Sequence, residues 1–190
     1  ADQLSSFVDW NDRRSCILFG DGAGALAIEA TNEFDNFIGF DMRTDGKRGC
    51  FLNLPSKNNK DSIIDNIDFI SKGFSPIQMN GQEVYKFAVK EVPIILDKLF
   101  RKTNHSSDKV DWLVLHQANQ RILDSVGERL KIPREKILSN LGKYGNTSAA
   151  TIPLMMDEAI RNHSIKQNDI IATSGFGAGL SWGAALIKWG

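Results

Sequence analysis

Residues 110–123 read VDWLVLHQANQRIL. Trp112–Leu115 is a short apolar run of the kind that forms a buried strand. Ala118, Ile122, Val126 and Leu130 then recur at helical spacing, which predicts a helix over Gln117–Leu130. A strand that runs straight into a helix is the repeating unit of a parallel α/β sheet. At the junction stands His116, at a strand's carboxyl end, where open α/β sheets build their sites.

The same alternation continues outward from this unit. Ile137–Asn140 (ILSN) is predicted as a strand leading to a helix from about Asn146 to Arg161. Ile170–Ser174 (IIATS) is predicted as a strand, followed by the turn Gly175–Gly179 (GFGAG) and the strand Ala184–Trp189 (AALIKW). The last two strands read as a hairpin. Upstream, Gly81–Lys102 carries Val84, Ala88, Val92, Ile95 and Leu99 on one stripe and reads as a helix, with a kink predicted at Pro93. Ser15–Phe19, Ala25–Glu29 and Phe37–Arg43 read as strands, the last two as antiparallel neighbours, with Ser15–Phe19 buried. Residues 44–78 read as a long polar excursion with a short helix near Ser62–Ser71. The class is α/β, a mixed and mainly parallel sheet with crossover helices.

A chain of 190 residues is long enough for one domain with a substantial core. Its 23 basic and 23 acidic residues cancel, so there is no global field to draw in nucleic acid or an anionic membrane. No apolar run approaches the roughly 20 residues of a membrane helix. Cys16 and Cys50 fit neither a disulfide framework nor a metal motif, which points to a reducing, cytosol-like compartment. Three histidines at these spacings do not suggest zinc, so no metal is expected. The opening ADQLSSF lacks an initiator Met, and the expectation is a fragment cut on its N-terminal side.

Three predicted strand ends carry chemistry: His116, Asn146 in GKYGNTSAA, and the GFGAG turn. Together they offer an imidazole, a carboxamide and backbone N–H groups at one sheet edge. Such fixed donors stabilise a developing enolate or oxyanion, on the order of 3–4 kcal/mol per donor. Spacing alone leaves a plainer reading open for each. His116 can be a satisfied structural histidine, and Asn146 an ordinary helix cap. The glycines of GDGAGA (Gly20–Ala25) lack the spacing of a nucleotide loop and read as a tight turn where backbones meet.

FGDGAGA, LHQANQRI, YGNTSAA and GFGAGLSWGAAL, taken together, resemble the C-terminal half of beta-ketoacyl-acyl-carrier-protein synthase III, a thiolase-fold condensing enzyme. The likeness runs from about Arg14 to the end and is weakest over residues 44–75. The resemblance implies that residues 1–190 form the C-terminal thiolase-like domain, with the half carrying the nucleophilic cysteine outside the chain. It implies an acyltransferase that begins fatty acid synthesis by condensing acetyl-CoA with malonyl-ACP to acetoacetyl-ACP, with no cofactor beyond these substrates. The family's Cys-His-Asn set places its His on His116 and its Asn on Asn146. Phe176 would line the decarboxylation pocket, and the backbone N–H of Ala178 would contribute to an oxyanion hole. Met79, Gly81, Tyr85, Ala118, Asn119 and Ile122 would line the pantetheine tunnel for CoA. Arg121 and Lys86 would dock the acidic carrier protein, with Arg129 and Lys131 extending the patch. A cytoplasmic homodimer is implied for the complete protein, in a bacterial cytosol or a plastid stroma, with no role for nucleic acid or membrane.

Cys16, within its predicted strand, reads as a buried structural thiol, and Cys50 has no base or helix start beside it. Three rivals remain: a condensing enzyme with a different starter, a non-catalytic binding half-domain, and a hydrolase using Cys16 or Cys50.

Overall fold

A computed structural model describes residues 1–30, 36–55 and 74–190. Its frame is a four-stranded sheet in the order β1-β6-β5-β4. The strands are β1 (Phe37–Thr44), β4 (Trp112–Leu115), β5 (Ile170–Gly177) and β6 (Ser181–Lys188). β4 and β5 are parallel; β5–β6 and β6–β1 are antiparallel. A two-residue ribbon, β2 (Leu52–Asn53) with β3 (Gln78–Met79), lies apart from the sheet.

The helices are α1 (Gly81–Lys102), α2 (Gln120–Leu130), α3 (Leu141–Tyr144) and α4 (Thr151–Arg161). Strand alternation sorts the core into two layers. Leu113 and Leu115 of β4, Ala172 of β5, and Trp182, Ala184 and Leu186 of β6 pack with α1 and α2. Val114 and Ile171 pack on the other side with Met155, Met156 and Ala159 of α4. β4 is therefore buried on both faces, which is why its sequence is an unbroken apolar run. The class is α/β with a mixed sheet, as expected, but the described sheet is mainly antiparallel rather than mainly parallel, with one parallel pair against two antiparallel ones.

Several element boundaries differ from the reading of the sequence. α2 starts at Gln120, not Gln117, because the Asn119 side chain caps it by accepting from the Arg121 N–H at 2.8 Å. That leaves His116–Asn119 as a turn, closed by the Ala118 N–H on the His116 carbonyl at 2.9 Å. Ile137–Asn140 is no strand; only Ile137 makes a parallel bridge, to Leu113. No helix starts at Asn146 either, and α4 begins at Thr151 after a short 3₁₀ turn over Ser148–Ala150. Phe176 lies within β5, so the GFGAG turn begins only at Ala178. α1 continues through Pro93 as a single 22-residue helix.

Ser15–Phe19 and Ala25–Glu29 are not strands. The first forms successive turns that end in a bridge at Phe19, and the second is unpaired and exposed. Apolar residues make a strand only where a neighbouring backbone completes the ladder, and no described strand lies beside these two. β1 pairs with β6, not with Ala25–Glu29. Cys16 is consequently half-buried rather than enclosed in a strand. The predicted helix near Ser62–Ser71 lies outside the described residues.

Candidate active site

The turn after β4, the loop before α4, the end of β5 and the start of α1 converge on one pocket of about 410 Å³. Leu4, Phe7, Leu52, Ile77, Val84 and Ile122 make its walls largely apolar. His116, Asn146, Phe176 and Ala178 all line it, and so do Met79, Gly81, Tyr85, Ala118, Asn119 and Ile122. Arg121 and Lys86 do not. Both are exposed, beside pocket-lining Ile122 and Tyr85, and Lys86 is held by Glu83 at 2.7 Å. Neither Cys16 nor Cys50 reaches the pocket, which removes the observation a cysteine hydrolase would need.

His116 is fixed from three sides. Its backbone N–H donates to the Ser174 carbonyl at 2.9 Å, locking the strand end to β5. The ring meets Phe176 edge-on, with centroids 5.2 Å apart and planes at 85°. Phe176 in turn packs edge-on against Phe87 of α1 at 6.1 Å. Nδ1 lies 2.8 Å from Oγ1 of Thr151, the one side-chain hydrogen bond of the ring among the described residues, which leaves Nε2 without a side-chain partner there. Burial pushes the imidazole's pKa down to about 4, against a smaller upward pull from the Ser148 backbone. The ring is therefore neutral at physiological pH.

Asn146 is held by its backbone and by one side-chain oxygen. Its N–H donates to the Leu18 carbonyl at 3.0 Å, and its carbonyl accepts from the Gly20 N–H at 2.8 Å. Its Oδ1 accepts from the Ser148 N–H at 2.9 Å, which turns the carboxamide NH₂ into the outstanding donor. The glycines of the upstream turn make this bridge possible. A Cβ on Gly20 would stand 2.3 Å from the Tyr144 carbonyl oxygen, and Gly145 sits at φ +66° against the Leu18 carbonyl. GDGAGA is a place where backbones meet, as read, but no tight turn forms over it: Gly20 bonds the Asn146 carbonyl and Gly22 bridges Asp2.

Beside His116 and Asn146 lies a polar frame that periodicity did not reveal. Gln117 is fully buried; its Nε2 donates to the Leu115 carbonyl at 2.8 Å and its Oε1 accepts from the Asn140 N–H at 3.3 Å. Asn140 Nδ2, Lys143 Nζ and Tyr144 OH all donate to the Glu158 carboxylate, at 3.0, 3.1 and 2.9 Å. Burial raises the Glu158 pKa, but these three donors outweigh it and hold the carboxyl below its ordinary value. The turn carrying His116 and the loop leading to Asn146 are thus tied together and anchored to α4. A buried glutamine directly after a strand-end histidine was the available signal for it.

Residues 100–189 match the family model "3-Oxoacyl-[acyl-carrier-protein (ACP)] synthase III C terminal", and residues 1–46 match "3-Oxoacyl-[acyl-carrier-protein (ACP)] synthase III". The two together take in well over half of the chain. This chain belongs to the 3-oxoacyl-[acyl-carrier-protein] synthase III family. It is 94% identical over all 190 residues to a beta-ketoacyl-[acyl-carrier-protein] synthase III of Prochlorococcus marinus (strain MIT 9215), of which it spans 57%. It is 59% identical over 189 residues to that of Synechococcus sp. (strain WH7803), of which it spans 56%. The chain thus spans little more than half the length of these relatives. Among solved structures, the synthase III of Aquifex aeolicus VF5 superposes with a TM-score of 0.87 at 35% identity, over 100% of this chain and 56% of that one. The synthase III of Pseudomonas aeruginosa PAO1 does so with 0.88 at 30% identity, over 99% and 56%. The fold is accordingly thiolase-like, and no described helix is long and apolar enough to cross a membrane.

Proposed function

We propose that this chain supplies the decarboxylating face of a condensing enzyme that joins an acetyl group from acetyl-CoA to malonyl-ACP. The observation that carries the reading is the paired tethering of His116 and Asn146. Nδ1 of the one and Oδ1 of the other are tied back into the protein, leaving Nε2 and the carboxamide NH₂ to a shared apolar pocket.

In this reading the malonyl thioester carbonyl sits between those two groups. Loss of CO₂ sends the electron pair of the breaking C–C bond into the thioester, and the enolate oxygen is held by both donors. The enolate carbon then attacks an acetyl thioester carried on a cysteine outside this chain. The cysteine thiolate leaves, and acetoacetyl-ACP forms. Apolar walls exclude water and strengthen both hydrogen bonds. The backbone N–H of Ala178 serves the tetrahedral oxyanion, and Phe176 walls the space from which CO₂ departs. No cofactor beyond the substrates enters the scheme. Met79, Gly81, Tyr85, Ala118, Asn119 and Ile122 guide the pantetheine arm. Arg121 and Lys86, exposed at the rim, meet the acidic carrier protein. The complete enzyme is a cytoplasmic homodimer of fatty acid synthesis.

The test uses a complete polypeptide, this chain joined to the remaining part of its 94%-identical relative. His116→Ala and Asn146→Ala should each lower malonyl-ACP decarboxylation by about a hundredfold or more. Acetyl transfer from acetyl-CoA to the enzyme should survive both. Loss of acetyl transfer with decarboxylation intact would reverse the assignment.

A further inference from the structure

We infer that Phe87 is a positioning residue that holds Phe176 against the His116 ring and keeps the decarboxylation pocket closed there. The inference rests on the reading of Phe176 as the wall from which CO₂ departs. Phe87 is 3% exposed and lies on the buried face of α1 with Val84 and Ala88. Its ring is restrained by three neighbours. Phe176 meets it edge-on at 6.1 Å and 68°, and Trp182 at 5.0 Å and 82°. The Arg48 guanidinium stands 5.8 Å from its centroid, held in turn by Asp45 at 3.1 Å and Glu91 at 3.8 Å.

Phe176 and Trp182 are cross-strand partners near the turn that joins β5 to β6. One helical side chain therefore packs against both members of the pair. Phe176 has the less secure place, because it is only half-buried and lines the pocket. Among the described residues its aromatic contacts are with Phe87 and His116, so losing Phe87 leaves His116 alone to hold the ring. The consequence falls on the leaving carboxylate. An apolar wall accommodates neutral CO₂ better than a charged malonyl carboxylate, so it favours the transition state, in which that charge is moving into the thioester, over the bound substrate. A Phe176 ring that swings away admits water, which stabilises the carboxylate and slows its loss. Phe87 itself does not line the pocket, although Val84 and Tyr85 beside it do. It acts on the reaction through Phe176, without touching substrate.

Phe87→Leu keeps an apolar side chain and removes the ring. Phe87→Met is a longer replacement, made in case the leucine variant folds poorly. Both are made in the complete polypeptide described above, alone and together with Phe176→Leu, with the thermal midpoint measured for each. The maximal rate of malonyl-ACP decarboxylation should fall by about five- to tenfold in Phe87→Leu and Phe87→Met, the worth of a lost edge-to-face pair. The Michaelis constant for malonyl-ACP should not rise, and acetyl transfer should keep the parent's rate. In the Phe176→Leu background either replacement should change the rate by less than about twofold, since the side chain it positions is already gone. The ¹H shifts of the His116 ring should move in Phe87→Leu and Phe87→Met, because the ring current of Phe176 moves with its ring. A fall in rate as large in the Phe176→Leu background as in the parent would overturn the assignment. So would a raised Michaelis constant at the parent's maximal rate, which would give Phe87 to the tunnel wall through Tyr85, or unmoved His116 shifts in both variants. A parent that never decarboxylates malonyl-ACP, but whose His116 shifts move in Phe87→Leu, would leave Phe87 as the brace of Phe176 and sink the functional reading instead.

Discussion

His116 and Asn146 are ordinary side chains made unusual by what restrains them. His116 differs from an exposed histidine in one respect that can be measured. Its pKa is depressed to about 4 by burial, so between pH 4 and about 6.5 the unfolded chain binds a proton that the folded one refuses. Folding stability should therefore decline as pH falls through that window and stop declining on this account below it. Replacement by Gln should flatten the acid limb of a thermal-midpoint profile. For catalysis the same depression predicts that decarboxylation in the complete enzyme shows no titration near pH 6.5 from this residue, and that the neutral ring gives way to the imidazolium only near pH 4. A pH–rate profile whose acid limb near 6.5 disappears in the His116→Gln protein would contradict this. At the rim, Arg121 is exposed and, among the described residues, makes no ion pair of the kind that joins Lys86 to Glu83. Arg121→Glu should raise the Michaelis constant for malonyl-ACP severalfold while leaving that for acetyl-CoA unchanged, and steady-state kinetics with each substrate varied will show it. His116 itself was legible from sequence because its position depends on one strand end and the helix after it. Its tether was not, since Thr151 is thirty-five residues away and looks like any residue of an Ala/Ser/Thr run.

Elements here are bound by specific polar clamps as much as by apolar area. α3 has only four residues, too short to hold itself, and Glu158 of α4 receives three donors from it and from its cap. Glu158→Gln loses the charge and gives up an acceptor. It should cost about 1–3 kcal/mol, read as a lower denaturant midpoint, and should slow decarboxylation by loosening the loop that ends in Asn146. Its sign with pH follows from the lowered carboxyl: the clamp is whole above the ordinary carboxylate range and fails as pH falls through the folded value. The end of α2 shows the reverse case, a site the protein has left unoptimised. Lys131 sits in the left-handed region at φ 57°, ψ 33°, where glycine carries no Cβ penalty. Lys131→Gly should raise stability by up to about 1 kcal/mol, visible as a higher thermal midpoint. α1, α2, most of α4 and β4 were legible because their periodicity is a local property, whereas the four residues of α3 carry none. Ser15–Phe19, Ala25–Glu29 and Ile137–Asn140 were misread because a strand is a relation between two backbones, and an apolar run carries no record of its partner. Asn146 was misplaced at a helix start for a related reason. The bridge that captures it comes from Leu18 and Gly20, more than a hundred residues upstream.

For the whole molecule, the distribution of apolar surface is the feature that reaches furthest. α1, α2, α4 and the sheet bury their apolar faces in two layers. Along the upstream segment the opposite holds: Ile17 is 72% exposed, Leu26 52% and Ile28 93%. Large apolar side chains this exposed are ones that a folded protein normally covers where they lie together. This chain spans 57% of the 94%-identical relative, and the remaining 43% is polypeptide that can supply the cover. One substitution should then have opposite effects in two contexts. In a polypeptide of these 190 residues alone, Ile28→Lys places a charge on an exposed apolar patch, so light scattering at a given concentration should fall and recovery should improve. In the complete polypeptide the same lysine would be buried against the added part, so the thermal midpoint should drop by several degrees. Improvement in both contexts would mean that the remaining polypeptide does not cover this segment.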